Sequence, residues 1–152
     1  MTSPAPETLA ALHASAITQP PPWSATAFAG CLDDPACFVL TAPGGATAGV
    51  QPPVALLVGR VTLDEAELLT LATAPTARRQ GLARQLLQAF TTEAAARRVV
   101  TAFLEVAESN AAARALYASD GWEIVGRREG YYRASHGRRD AALILRKPLS
   151  AG

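Results

Sequence analysis

A glycine stands at the predicted start of a helix, two positions after a pair of arginines, in the stretch LLTLATAPTARRQGLARQLLQAF (68–90). The apolar run at its beginning predicts a buried strand that breaks at Pro75, and a helix begins near Leu82. The first turn of a helix has about four backbone N–H groups without partners and a partial positive charge, and glycine lets a ligand approach them. The loop 76–81 therefore favours a phosphate-bearing ligand, with an ordinary strand-to-helix turn and an exposed arginine pair as the alternative.

Two side chains further along the sequence could transfer protons. Glu105 lies in an apolar strand, where a buried unpaired carboxylate is costly. It is therefore predicted either to pair with an arginine such as Arg60 or Arg127, or to act as a general base. Tyr117 lies on the short helix that follows this strand. It is predicted to be either a core tyrosine with its hydroxyl at the rim or a general acid.

The other reactive side chains form no recognisable site. His13 and His136 have no acidic or cysteine partner nearby in the sequence, so each is predicted to be structural or solvent-exposed. Cys31 and Cys37 have five residues between them and no Cys/His cluster around them. This spacing predicts two reduced thiols rather than a zinc site or a disulfide. No metal is expected.

Composition predicts one globular domain over residues 1–152, because 49% of the residues are hydrophobic and 18% are charged. The net charge of +1 implies no broad basic face for nucleic acid or anionic lipid. The sequence shows neither a signal peptide nor an apolar run of about 18 residues. We therefore expect a cytoplasmic protein without a membrane partner.

Hydrophobic periodicity predicts two helices, three strands, a helix, a strand, a helix and two final strands. The predicted helices cover 7–17, a short segment after Ser24, 82 to about 98, and a segment capped by Asn110 that ends near 119; the predicted strands are 37–40, 54–61, 67–73, 99–108, 122–128 and 141–146. Gly44-Gly45 is predicted to form a hairpin, and Tyr131, Tyr132 and His136 a polar loop. This order indicates an α/β (α+β) mixed sheet with helices on both faces, not a doubly wound fold.

Several of these stretches together resemble the GNAT superfamily of acetyl-CoA-dependent N-acetyltransferases. RRQGLA (78–83) matches Q/R-x-x-G-x-G/A, the coenzyme A pyrophosphate loop of that family. LEV (104–106), SNAAA (109–113), LY (116–117) and GW (121–122) follow in the order of its second acetyl-CoA segment. The resemblance implies a single domain whose mostly antiparallel sheet is splayed around the acetyl-CoA site.

Within the superfamily, the likeness is greatest to the bacterial ribosomal-protein-alanine N-acetyltransferases, the RimI type. PWS (22–24), LDEA (63–66), GYY (130–132), GR (137–138) and DA (140–141) extend it over roughly residues 20–147. The resemblance implies direct transfer of an acetyl group from acetyl-CoA to a protein N-terminus, with an alanine-initiated ribosomal protein as acceptor.

The resemblance also assigns roles to individual residues. Glu105 would be the general base and Tyr117 the general acid, with Tyr131 and Tyr132 near the acceptor. Acetyl-CoA would contact Leu71, Ala72, Thr73, Arg79, Gln80, Gly81, Leu82, Ala83, Arg84 and Asn110.

Three positions depart from the RimI pattern, and all three lie in the segment expected to touch the acceptor. Gly130 replaces the usual asparagine, Arg133 the usual proline, and His136 an acidic residue. Another protein N-terminus or a small amine is therefore an alternative acceptor. A non-catalytic acyl-CoA-binding module is the alternative from another functional class.

Overall fold

A computed structural model of the protein describes residues 4–17, 21–43, 52–133 and 139–149. The described residues form four α-helices: α1 (Pro6–Ala16), α2 (Ala25–Asp33), α3 (Leu82–Ala96) and α4 (Ala111–Ser119). Six strands accompany them: β1 (Cys37–Pro43), β2 (Pro53–Thr62), β3 (Glu65–Thr73), β4 (Thr101–Ala107), β5 (Glu123–Arg133) and β6 (Arg139–Pro148). The predicted order of elements is confirmed.

The six strands form one mixed sheet in the order β1-β2-β3-β4-β6-β5. Every neighbouring pair is antiparallel except β3 and β4, which run parallel. The predicted class, a mixed and mostly antiparallel sheet with helices on both faces, is therefore confirmed.

Each of the six strands differs from its predicted bounds at one end or both, and the ends of β1 and β5 differ most. β1 continues to Pro43, and β5 continues to Arg133, so Tyr131 and Tyr132 lie on a strand rather than in a polar loop. β5 is the last strand of the sheet and much of it is exposed, so its sequence lacks the apolar alternation that marks a strand. Gly44-Gly45 and His136 lie outside the described residues.

The sheet is covered on both faces, and β2 shows this most directly because its residues alternate between two cores. Leu56 and Val58 belong to one core, and Leu57 belongs to the other. The first core is completed by α1 and α2 through Leu9, Leu12 and Phe28; the second is completed by α3 and α4 through Leu86, Leu87, Phe90 and Tyr117. The continuous apolar sequence of β2 is thus explained by burial on both sides.

The parallel pair β3–β4 holds together over only four residue pairs, from Glu65 opposite Thr101 to Leu68 opposite Leu104. At the next residue β3 has a bulge, since Val58 of β2 faces Thr70 while the adjoining Gly59 faces Leu68. A bulge bends a strand and interrupts its pairing, so the two strands separate beyond this point. The separation opens a cleft through the middle of the sheet.

Candidate functional site

The cleft between β3 and β4 contains a cavity of about 150 Å³. Among the residues predicted for the site, the cavity brings together Leu71, Glu105, Asn110 and Tyr117. His13, Trp23 and Thr70 line it as well. Residues from α1, β3, β4 and α4 thus meet at a single point, which is where the parallel pairing ends.

Glu105 and Tyr117 reach the cavity from opposite faces of the sheet. Leu104 and Val106 belong to the core beneath α3 and α4, so the alternation of β4 places Glu105 on the face covered by α1 and α2. Tyr117 belongs to the α3–α4 core itself. A molecule lying in the cleft would therefore meet a carboxylate on one side and a phenol on the other.

Glu105 forms an ion pair with Arg128, whose Nη1 lies 3.5 Å from Oε1, and 27% of the Glu105 side chain is exposed. The predicted partners, Arg60 and Arg127, are wrong: Arg127 instead donates two hydrogen bonds, of 2.8 and 2.9 Å, to Glu108. This hydrogen bonding lowers the pKa of the Glu108 carboxyl. A register shift at Val125 reverses which side chains of β5 lie on the same face of the sheet as Glu105, and the sequence pattern does not show this shift.

Tyr117 is buried, and the end of α4 fixes its position. The N–H of Gly121 donates to the carbonyl of Ala118, and the N–H of Trp122 donates to that of Tyr117, while Gly121 has φ of +94°. This is the Schellman arrangement, and the Trp122 ring packs edge-on at 6.0 Å from the Tyr117 ring. The predicted cap at Gly121-Trp122 is confirmed.

Tyr117 lines the cavity, and its hydroxyl has no hydrogen-bond partner among the residues that the structure describes. Leaving such a group unpaired in the interior costs roughly 1–3 kcal/mol. Burial also raises the pKa of the phenol, which keeps it protonated at neutral pH. Tyr117 therefore presents an unused hydrogen-bond donor to the cleft.

Asn110 caps α4, because its Oδ1 accepts a hydrogen bond of 3.1 Å from the Ala113 N–H. This confirms the predicted cap. The side-chain amide NH₂ has no partner within the described part of the chain and lies at the rim of the cavity. It is free to donate to a ligand that follows the end of β4.

The loop before α3 has the conformation of an anion site. A cavity of about 230 Å³ lies against Thr73, Arg79, Gly81, Leu82, Ala83 and Arg84. Arg79 has φ of +65° and Gly81, the helix N-cap, has φ of +75°, so both are left-handed. Gly81 permits this conformation freely, whereas an arginine adopts it only under strain, a feature that is frequent at ligand-binding loops.

The first turn of α3 keeps its backbone donors free. The N-cap Gly81 has no side-chain hydrogen bond, and the first helical bond runs from the Gln85 N–H to the Gly81 carbonyl. Over the described ranges, the N–H groups of Leu82, Ala83 and Arg84 have no acceptor. Such N–H groups bind phosphate oxygens readily.

The three arginines around this loop differ in their hydrogen-bond partners. Arg78 donates to the carbonyls of Thr73 and Ala16, each at 3.4 Å, and so ties β3 to α1. Arg84 donates to Ser119 Oγ at 3.0 Å and joins the start of α3 to the end of α4. Arg79 and Gln80 are exposed, and the structure gives neither a partner among the described residues.

His13 and Thr70 are lining residues that sequence reasoning missed. His13 was predicted to be structural or exposed, and it is structural: it is buried, at 1% exposure, but it also lies beside the cavity, which was not predicted. Its Nε2 lies 2.8 Å from Thr70 Oγ1, and its Nδ1 accepts a hydrogen bond of 2.9 Å from the Trp23 N–H. A contact across 57 residues leaves no local signal in the sequence.

No group of three or more metal-ligating side chains occurs in the described ranges, and no helix there is long and apolar enough to cross a membrane. The backbone of Tyr131 and Tyr132 lies in β5, where Tyr132 is opposite Asp140.

A mixed sheet that splays at its one parallel pair, beside a helix with free N-terminal donors, defines the acetyltransferase architecture that the sequence predicted. The chain belongs to the acetyltransferase (GNAT) family, whose model matches residues 9–122.

Two kinds of comparison agree with this assignment. Over 96 residues the chain is 45% identical to the ribosomal protein bS18-alanine N-acetyltransferase of Escherichia coli K12. These aligned residues cover 63% of this chain and 64% of that relative. The chain thus spans less than two thirds of the length of these curated relatives.

Solved structures show the likeness over more of the chain. The crystal structure of the ribosomal-protein-S18-alanine N-acetyltransferase from Escherichia coli superposes with a TM-score of 0.83 at 33% identity, covering 97% of this chain and 89% of that one. A ribosomal-protein-alanine N-acetyltransferase from Brucella melitensis gives 0.61 at 28% identity, covering 73% and 68%.

The burial of His13 predicts a pH dependence of stability. Burial lowers the pKa of its imidazole below the ordinary value of 6.5, so below that pH the unfolded chain binds a proton that the folded chain does not. The free energy of unfolding should therefore fall as the pH drops below 6.5, by at most about 1.4 kcal/mol per pH unit for this group.

Urea denaturation of the wild type and of H13Q between pH 7.5 and 5 measures this effect. The variant retains His136, so the difference between the two slopes isolates His13. Equal slopes for the two proteins would contradict the prediction.

Proposed function

We propose that this protein transfers the acetyl group of acetyl-CoA to the N-terminal α-amine of a protein, and that the acceptor is a ribosomal protein that begins with alanine. The observation that carries the proposal is the convergence of Glu105 and Tyr117 on one cavity from opposite faces of the sheet. The free N-terminus of α3 and the similarity to ribosomal-protein-alanine N-acetyltransferases also support it.

Acetyl-CoA would lie on the α3–α4 side of the cleft. Its pyrophosphate would bind the free N–H groups of Leu82, Ala83 and Arg84, with Arg79, Gln80 and Gly81 around it. The edge of β3 from Leu71 through Ala72 to Thr73 has no β4 partner, so the pantetheine amides can pair with it as a strand would. The free amide of Asn110 would donate to the same arm.

The acceptor amine would lie on the α1–α2 side, next to Glu105. An α-amino group has a pKa of about 7.7–8.0 and a lysine about 10.4, so roughly a tenth of the former and about one in 2,500 of the latter is neutral at pH 7. A single carboxylate is sufficient help for an α-amine, whereas a lysine would need much stronger activation. The presence of one base in the cleft therefore favours a terminal amine.

The chemistry closes with one proton taken up and one given. The amine nitrogen attacks the thioester carbonyl carbon, and Glu105 accepts the proton that the nitrogen loses. The C–S bond then breaks, and Tyr117 donates its proton to the departing sulfur. Without this proton the sulfur would leave as a thiolate, which is a poorer leaving group than the thiol. The proton on Glu105 returns to Tyr117 through solvent, so both groups are restored for the next turnover.

The acceptor is tested by incubating the protein with acetyl-CoA and an alanine-initiated ribosomal peptide while free thiol is measured. We expect thiol release with this peptide, and none with the same peptide already acetylated at its N-terminus and carrying an internal lysine. A peptide panel that varies the first residue defines the preference.

The outcomes of this assay separate the proposed function from its alternatives. Release with other amines but not with alanyl peptides would overturn the acceptor. Binding of acetyl-CoA without release on any amine would indicate a non-catalytic module.

Replacing Tyr117 with phenylalanine tests the acid. We expect Y117F to lower kcat by roughly 10²-fold or more, because the thiolate loses its proton donor. The Kd for acetyl-CoA should change little. Since the hydroxyl has no partner in the described part of the protein, its loss should leave Tm unchanged or slightly higher.

Thiol release, titration calorimetry and thermal melts on Y117F measure these three quantities. A kcat equal to that of the wild type would remove Tyr117 from this role. A large fall in Tm would instead show that the phenol supports the fold.

Two arginines at opposite ends of α3 provide a matched test of the cofactor loop. Arg79 precedes the helix and Arg98 follows it; both are exposed, and they have nearly equal left-handed φ values of +65° and +64°. R79A should raise the Kd for acetyl-CoA about tenfold, as expected for the loss of one charge-assisted hydrogen bond. R98A makes the same change of side chain at the same kind of left-handed backbone position and should leave Kd unchanged.

Calorimetric titration of both variants with acetyl-CoA and with pantetheine, which carries no phosphate, gives the Kd values to be compared. The effect of R79A should vanish with the ligand that lacks phosphates. Equal Kd values for R79A and R98A would contradict the assignment of the loop.

A further inference from the structure

The two hydrogen bonds of His13 fix its tautomer. Nδ1 faces the backbone N–H of Trp23 at 2.9 Å and must accept from it, so Nδ1 carries no hydrogen. A neutral imidazole then carries its hydrogen on Nε2, which lies 2.8 Å from Thr70 Oγ1. Nε2 therefore donates and the Thr70 hydroxyl accepts.

The hydrogen bond from His13 determines which hydrogen-bonding capacity the Thr70 hydroxyl has left for a ligand. One lone pair is used by His13, and the hydroxyl hydrogen is left to donate elsewhere. Within the described residues no other side chain or backbone group bonds to the Thr70 hydroxyl. Thr70 lines the cavity, so its hydroxyl hydrogen is available to a molecule in the cleft.

Thr70 lies on the same face of the sheet as Glu105. Its bond to His13 of α1 places it on the α1–α2 side, and Ala72, two residues further along β3, packs in the α1–α2 core. Thr70 is two residues past the last β3–β4 pair and Glu105 is one residue past it. The two side chains line one cavity and are not hydrogen-bonded to each other.

The hydrogen-bonding groups of a polypeptide N-terminus match this arrangement. The α-amine must give a proton to Glu105 and keep its lone pair for attack, so a donor aimed at the nitrogen would oppose the reaction. The carbonyl oxygen of the first residue, two bonds from the carbon that bears the amine, needs a donor. A lysine side chain has an amine of similar size but no carbonyl near it.

We propose that the Thr70 hydroxyl, oriented by His13, donates a hydrogen bond to the first carbonyl oxygen of the acceptor. The inference rests on the proposed function and extends it: Glu105 holds the amine, Thr70 holds the carbonyl, and the two together select an N-terminus over a lysine. Thr70 is the specificity-determining residue and His13 is a positioning residue that acts through it.

Replacing Thr70 with valine and with serine tests this inference on two acceptors. One acceptor is an alanyl peptide, and the other is the same peptide with an E-alkene in place of its first amide, which keeps the shape and removes the carbonyl oxygen. Valine keeps the β-branched shape that a strand favours, and serine keeps the hydroxyl. The quantity measured is the ratio of kcat/KM for the two acceptors.

We expect T70V to reduce the preference for the amide peptide about tenfold, mostly through KM, as for the loss of one hydrogen bond in a dry site. T70S should restore most of the preference. Because the loss of the hydroxyl also leaves the His13 Nε2–H without an acceptor, any general disturbance affects both acceptors alike and cancels in the ratio.

His13 is tested through the double variant. H13F should lower the same ratio, and adding it to T70V should lower the ratio no further, because both changes remove one interaction. Circular dichroism confirms that each variant is folded before the ratio is measured.

Three results would overturn the inference. An unchanged ratio in T70V would exclude the contact to the carbonyl. Additive effects of H13F and T70V would exclude action of His13 through Thr70. Thiol release by the wild type on neither acceptor would overturn the proposed function and this inference with it, whereas normal wild-type release with an unchanged T70V ratio overturns the inference alone.

Discussion

The end of pairing between β3 and β4 is the constraint on which the rest of the structure depends. Four residue pairs hold the two strands together, and a bulge after Leu68 prevents a fifth. A sheet that stayed paired in the same register would place Leu69 opposite Glu105 in a closed ladder and would leave no free edge on β3. The cavity, the unpaired edge and the access from both faces all follow from that single interruption.

Two polar side chains at the cleft, those of Tyr117 and Asn110, are held by the ends of a helix rather than by other side chains. Tyr117 is fixed through the Schellman end of α4, and Asn110 through the cap at its start. Capping uses one oxygen of Asn110 and leaves its NH₂ free, and the helix end positions the Tyr117 ring without touching its hydroxyl. Because local backbone geometry does the positioning, the polar atoms themselves remain unpaired and ready for a ligand.

Local patterns in the sequence predicted most of the fold and the helix ends that hold the candidate site, and the failures have physical causes. Gly81, Asn110 and Gly121 were recognisable because a helix end needs those residue types within a few positions. Arg128 was missed as the partner of Glu105 because a one-residue register shift at Val125 changes which arginine faces the cleft. His13 was missed because both its partners are distant in sequence, and an exposed edge strand such as β5 carries no periodic signal at its polar end.

The placement of α1–α2 and α3–α4 on opposite faces of the sheet affects how the two substrates enter. Under the proposed function, donor and acceptor enter from opposite faces and meet only at the cavity between Glu105 and Tyr117. A long polypeptide can arrive while the cofactor stays seated, since neither blocks the path of the other. The acceptor then does not have to fit inside a tunnel that it shares with the cofactor. A protein that is already folded on a large assembly needs to insert only its first few residues.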